Sequence, residues 1–298
     1  MNRSTIFLEN LKSFKLISTF FSLWFAVYFT ENIEDYFAFF FILSLGILHG
    51  ANDLKLIEKV ISITDKKQLY KVIALYLCTI AIGILTFYYF PAIGLLLFIF
   101  FSAYHFGEQH WSSRIKESSI PAKFMFMAYG FLILSSLFYF NNIEVSLIID
   151  NIAGIYLKKN FYLYTLFIAA IVVCLLGFKL HMELKLKVRI IEELFYLLVF
   201  LVVFHTASLL WAFAIYFIFW HSIPSLVDQV NYLYGNTKKE NFIAYLKSSF
   251  LNWFISIIGL TILYYLFNDD DRLFLSIFFT LIASITFPHV WVMSKFNK

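Results

Sequence analysis

Charge is what this 298-residue chain has least of. Asp, Glu, Lys and Arg make up 14% of it, against roughly 25% in an ordinary soluble domain. With 61% hydrophobic residues and a mean hydropathy of +0.80, a soluble globular fold is excluded. Cysteine is almost as scarce: Cys78 and Cys174 are the only two, and both lie inside apolar segments. Neither a disulfide framework nor a cysteine zinc site can be built from them. The net charge of +4 comes from basic residues scattered over loops rather than gathered in a patch, which excludes nucleic acid as a partner. GxSxG, P-loop and GxGxxG motifs are all missing, so serine hydrolysis and nucleotide chemistry have no support.

What is present is a succession of apolar runs close to the length that crosses about 30 Å of hydrocarbon as a helix. Ten can be laid out, at about 14–30, 36–50, 72–90, 91–107, 123–140, 161–178, 190–205, 208–222, 247–267 and 273–293. The expected fold is an all-α, polytopic membrane bundle of about ten helices (8–10), forming a single domain over 1–298 and multi-pass in the cell (inner) membrane. The stretch 141–160 has room for an extra half-helix lying in the interface. The first segment has a basic start but "FAVYFTENIED" offers no small-x-small cleavage site, so it reads as a retained helix. The 39 Phe need no cofactor to explain them, because AT-rich codon usage produces the same bias and lipid tolerates it.

Lys and Arg in short loops stay on the cytoplasmic side. Alternation over ten spans gathers all 23 of them on one side except Lys158, Lys159 and Arg272; the acidic stretches "ENIED" and "NDDD" fall on the other. Both termini are then cytoplasmic. On this topology His49, His105, His221 and His289 each stand near the end of a segment running from outside to inside, so four imidazoles share one depth near the cytoplasmic face. His110 follows in the adjoining loop, His205 lies at the opposite face and His181 in a basic loop.

A single histidine at a membrane margin is ordinarily an amphipathic residue with no further role. Four on four helices are different, because polar groups there tend to face the protein interior or a cavity, and neutral imidazole suits Fe, Zn or Cu. Asp53 comes four residues after His49 and Glu108 three after His105. If the helix continues, each carboxylate shares a face with its histidine and can fix its tautomer; both serve equally well as ordinary helix-end acids. Gly50, Gly107, Pro224 and Pro288 stand beside the histidines, where Gly allows close backbone approach and Pro frees a carbonyl. A histidine or histidine–carboxylate site with open positions is what O₂-using non-haem iron needs. A lipid-soluble substrate would reach it sideways through a tunnel walled by Phe, Tyr and Trp, with Trp111, Trp220 and Trp291 close to the histidines.

At "HGAND" (49–53), "YHFGEQHW" (104–111), "WHSIPSL" (220–226) and "PH" (288–289) the sequence resembles the Brp/Blh family of membrane β-carotene 15,15′-dioxygenases. The resemblance implies cleavage of the central double bond of β-carotene by O₂ with Fe(2+), giving two all-trans-retinal molecules for a retinal-accepting rhodopsin. It carries over His49, His105 and His221 as iron ligands, supported by Asp53. The family has a second histidine four residues after the third motif's first; here that position is Ser225, and a hydroxyl is a poor iron ligand. Three outcomes are open: His289 or His110 completes the site, three histidines hold the iron with more room for water, or the chain no longer cleaves carotene. The shared depth favours His289, with His110 in reserve. A haem protein would prefer histidines deeper in its helices. A transporter needs polar residues at the midplane, and a di-iron hydroxylase needs histidine boxes that are not here.

Overall fold

A computed structural model describes residues 3–117, 119–267 and 271–296. Asn268, Asp269, Asp270 and the side chain of Arg272, which the sequence places on the acidic side, fall outside that description. Among the described residues the fold is all helix, with no strand. Helix α1 (Arg3–Tyr28) is followed by a long span in which α2 (Glu31–Phe41) passes through a π-helical turn (Ile42–Gly46) into α3 (Ile47–Gly50) and, after a two-residue turn, α4 (Asp53–Ile61). Next come α5 (Lys66–Tyr89), α6 (Pro91–Trp111), α7 (Ile120–Phe140), the short α8 (Asn142–Ala153), α9 (Lys159–Met182) and α10 (Ile190–Thr206). A second interrupted span joins α11 (Leu209–Ile215) through a π-helical segment (Tyr216–Ser222) to α12 (Ile223–Tyr234). The last two helices are α13 (Lys239–Phe267) and α14 (Asp271–Phe296).

Seven spans among the described residues are long and apolar enough to cross a membrane. The other three apolar segments of the sequence are also helices: α1, α10 (17 residues) and α14. Local chemistry sets many of the boundaries. Asp65 accepts from the Lys67 amide to start α5, Ser119 from Ala122 to start α7, and Ser208 from Trp211 to start α11, each satisfying an amide that the first turn leaves without a partner. Pro91, Pro121 and Pro224 sit in first turns, where a missing N–H costs nothing. Pro288 differs, because it lies inside α14 and the helix runs on past it.

Large apolar side chains, among them Trp24, Tyr88, Phe178 and Ile191, point outward around the bundle. In water such a surface would be an aggregation liability; in lipid it is the solvent-facing side. Cys78 and Cys174 are free thiols on exposed faces rather than buried small hydrophobes. Inside, α6 and α7 meet backbone to backbone. A Cβ at Gly107 would overlap the Phe126 carbonyl, and one at Gly130 the Ala103 carbonyl, the small-residue contact that lets membrane helices approach closely. At one end, the 111–120 and 183–190 connections clip together through Lys116 N–H to Lys185 O (2.9 Å) and Lys187 N–H to Arg114 O (2.8 Å).

Candidate metal centre

His49 is delivered by α3 just beyond one π turn, and His221 lies within the other π segment. Such bulges shift the register of the side chains that follow and are frequent at functional sites. His105 comes from the inner third of α6 and His289 from α14, one residue after Pro288. All four rings are buried, His221 to 1% exposure. Ring centroids lie 5.2 Å apart for His49–His221, 4.6 Å for His105–His221, 4.9 Å for His49–His289 and 5.0 Å for His105–His289. One nitrogen from each of His49, His105 and His221 lies within 4.8 Å of the others. Nitrogens about 2.1 Å from a shared ion stand at most about 4.2 Å apart, so small ring movements bring the three into bonding reach.

Two of the four tautomers are fixed by hydrogen bonds. His49 Nδ1 pairs with the Gly46 carbonyl at the end of the π turn, and His289 Nδ1 pairs with both oxygens of Asp53, at 2.9 and 3.0 Å. In each case Nδ1 holds the proton and Nε2 keeps its lone pair. Neither Nε2 has a partner, and neither do the ring nitrogens of His105 or His221. Buried polar atoms are normally paired, and leaving one unsatisfied costs on the order of 1–3 kcal/mol. Several orphaned nitrogens converging on one point fit a metal ion.

The neighbours are not all where spacing placed them. Asp53 serves His289, not His49, and also accepts from Tyr76 Oη at 3.0 Å. The helix breaks at Ala51–Asn52, so the four-residue spacing from His49 does not put the two on one face. Glu108 accepts from Tyr104 Oη at 3.2 Å and makes no hydrogen bond to His105. His110 stands apart from the cluster: it stacks on Tyr129 and its Nε2 pairs with Glu193 at 2.7 Å, which Arg114 also binds at 3.3 Å. Five residues past His105 is a turn of about 140° around the helix, so the two imidazoles face different neighbours. His205 and His181 are exposed and remote, as expected.

Ser225 is fully buried and accepts from Gln229 Nε2 at 3.1 Å. That amide also donates to the backbone carbonyl of His49 at 3.0 Å, while Tyr245 Oη donates to Gln229 Oε1 at 2.7 Å. The position four residues after His221 thus belongs to a network that braces α3. Sequence reasoning missed Tyr76, Gln229 and Tyr245; Tyr76 offered only a hydroxyl inside an apolar segment, and Gln229 and Tyr245 fall between the segments laid out at 208–222 and 247–267.

Above the histidines lies an apolar cavity of about 190 Å³ whose walls include Phe98, Phe106, Phe213 and Phe217 and reach all four imidazoles. None of Trp111, Trp220 or Trp291 lines it. Trp220 packs on Tyr196 and Phe200 with Lys15 over its ring, and Trp111 packs on Tyr129. A wider apolar groove of about 660 Å³ meets the same centre from the side of α5, α13 and α14.

A sequence profile of the family described as Beta-carotene 15,15′-dioxygenase matches residues 40–297. The chain belongs to this family. The match spans all four histidines and both π segments. No curated protein and no solved structure matches the chain. Membership agrees with an apolar cavity ending on buried imidazoles, and the family's name states the reaction for which such a site is suited.

Proposed function

We propose that this protein cleaves the central 15,15′ double bond of β-carotene with O₂ at an Fe(2+) ion held by His49, His105, His221 and His289. The observation that carries the reading is the set of partnerless imidazole nitrogens at the inner end of an apolar cavity, in a member of this family. In the overall reaction one carotene and one O₂ give two retinals: the double bond is severed and one oxygen atom ends on each of its carbons. Bound iron would supply the redox chemistry that lets O₂ react with a carbon–carbon bond.

The chain's own contribution is positioning and exclusion of water. Phe217 stacks on His221 at 5.6 Å and Phe106 meets it edge-on at 4.8 Å, which limits the ring's rotamers and helps seal it from solvent. Asp53 and the Gly46 carbonyl orient His289 and His49. The phenylalanine walls accept a polyene without asking it to give up hydrogen bonds. As part of the same reading, α1, α10 and α14 also span the bilayer, giving ten crossings with both termini cytoplasmic in the cell membrane. Retinal leaves into the lipid, where a retinal-accepting rhodopsin is its consumer.

The test is expression in a β-carotene-accumulating bacterial host, with chromatography of the extracted pigment. Loss of colour with retinal appearing, abolished by His105→Ala, is the expected result. Intact carotene in cells that hold the folded protein in their membranes would refute the reading.

A further inference from the structure

The apolar cavity has a floor, and one short helix supplies much of it. Measured from the histidines, its walls climb α6 from His105 to Leu95 and α14 from His289 to Phe279. Ten residues on each helix correspond to about 15 Å at 1.5 Å per residue. Along the interrupted span they run from His221 to Leu209, about 18 Å by the same rise. At that far end the cavity meets Val145 and Ile149 of α8, with Leu137 and Leu209 beside them, all four buried. Helix α8 is 12 residues long, stopped by Gly154 in the left-handed conformation, and pinned by Ser146 Oγ, which donates to the Asn142 or Leu157 carbonyl and shares a hydrogen bond with the Tyr162 hydroxyl at 2.9 Å. The groove on the other side shares Ile42, His49, Phe217, Ile282, Thr286 and His289 with the cavity, so the two spaces meet at the metal centre. One space ends against α8; the other is wider.

We propose that the cavity ending on α8 is a ruler: it takes one half of the carotenoid, and Val145 and Ile149 are specificity-determining residues that set which double bond stands at the histidines. The lengths agree. From the central bond to the terminal ring of β-carotene is about nine bonds at roughly 1.2 Å each, and with the ring and its methyls the half-molecule is about 15 Å. The remaining half extends through the wider groove. Bond selection then rests on the depth of the floor and not on recognition of the bond itself, since beyond Ser102 and Thr286, each three residues from a histidine, the wall is apolar and offers a polyene no landmark along its length. This inference rests on the carotene-cleaving reading and adds the residues that choose the position of the cut.

The experiment compares the wild-type protein with Val145→Phe and Ile149→Phe, which raise the floor, and with a Val145→Ala/Ile149→Ala pair, which lowers it. Each is purified in detergent, checked for unchanged elution and metal content, and given β-carotene, with products separated by chromatography and mass spectrometry. One conjugated step is about 2.4 Å along the chain, within the reach of an added phenyl ring. The expected result is a pair of unequal apocarotenals, together accounting for all the carbons of carotene. Their ratio to retinal should rise by about tenfold, the factor that a misfit of about 1.4 kcal/mol gives. A control on the outer face, Ile191→Phe, should leave the ratio unchanged. Should the raised-floor variants be folded and metal-loaded yet inactive, the alanine pair decides: unequal products uphold the ruler, and retinal alone overturns it. Retinal as the sole product of every active variant overturns it as well. A wild-type protein that leaves carotene intact refutes instead the reading on which the ruler rests.

Discussion

Replacing Asp53 with Ala tests how the metal centre is held together, because the residue borders the groove but not the apolar cavity, and its carboxylate is engaged by His289 and Tyr76. It is 2% exposed and accepts from His289 Nδ1 at 2.9 and 3.0 Å and from Tyr76 Oη at 3.0 Å. Hydrogen bonds to a charged partner contribute about 1.5–3 kcal/mol. Removing the partner that orients a metal-binding histidine typically lowers metal affinity about 10–100-fold, equivalent to about 1.4–2.7 kcal/mol. Asp53→Ala should therefore weaken metal binding by that factor while the other three imidazoles stay in place. The assay is a chelator-competition titration with Fe(2+), repeated with Co(2+) to give a visible ligand-field spectrum independent of turnover. Tyr76→Phe, which leaves the Asp53–His289 pair intact, should change affinity by less than about threefold, below 1 kcal/mol. A folded Asp53→Ala protein with wild-type affinity and spectrum would refute the reasoning. It would mean that His289 does not bind the metal or needs no partner to do so.

His49→Ala, His105→Ala and His221→Ala should each abolish metal retention and carotene cleavage, whereas His205→Ala, at an exposed ring stacked on Phe140, should do neither; metal analysis of purified protein and pigment chromatography check both. Gly107→Ala pushes a methyl group into the Phe126 carbonyl, a clash that no side-chain rotation relieves. It should destabilise the α6–α7 contact by about 3 kcal/mol, the upper end for overpacking, seen as a lower Tm in detergent and as lost metal, since His105 rides on the same helix. Ser225→His should release rather than gain metal, because the imidazole displaces Gln229 from the His49 carbonyl in a site with no free space; increased affinity would show that a histidine at this position is a better fourth ligand than His289.

The membrane class and the long helices were legible because hydrocarbon imposes one rule, about twenty apolar residues per crossing, and the chain repeats it; α4 and α12 fall between the apolar segments and were not. The histidine cluster was legible for a related reason. Alternation of spans fixes depth, so four imidazoles at matching segment ends share a plane before any packing is known, and the structure brings all four together. Rotation about each helix axis is another matter, since packing sets it. His110 shares the end of α6 with His105 but faces Glu193 and Tyr129, and no spacing rule shows which partner waits on which side. The Trp residues failed as tunnel markers for the same reason, being near the histidines in sequence but turned toward α7, α10 or other neighbours.

The carboxylates show where a local rule ends. An acid four residues after a histidine shares its face only while the helix is unbroken, and Gly50, Ala51 and Asn52 are the residues at which this helix turns. Asn52 is spent on the turn itself, donating to the Tyr245 carbonyl at 3.2 Å and accepting from Ser248 at 3.1 Å. The break moves Asp53 to the first turn of α4, where α14 brings His289 to it. The same local pattern, "HGAND", therefore bears on two histidines at once: it supplies His49, which the Gly46 carbonyl just before it orients, and its final residue orients a distant one, His289. That division helps bring four imidazoles around one point although position 225 is a serine: α3, α6, the π segment of 216–222 and α14 each supply one, and the carboxylate that orients the one from α14 lies in the first of the sequence's motifs.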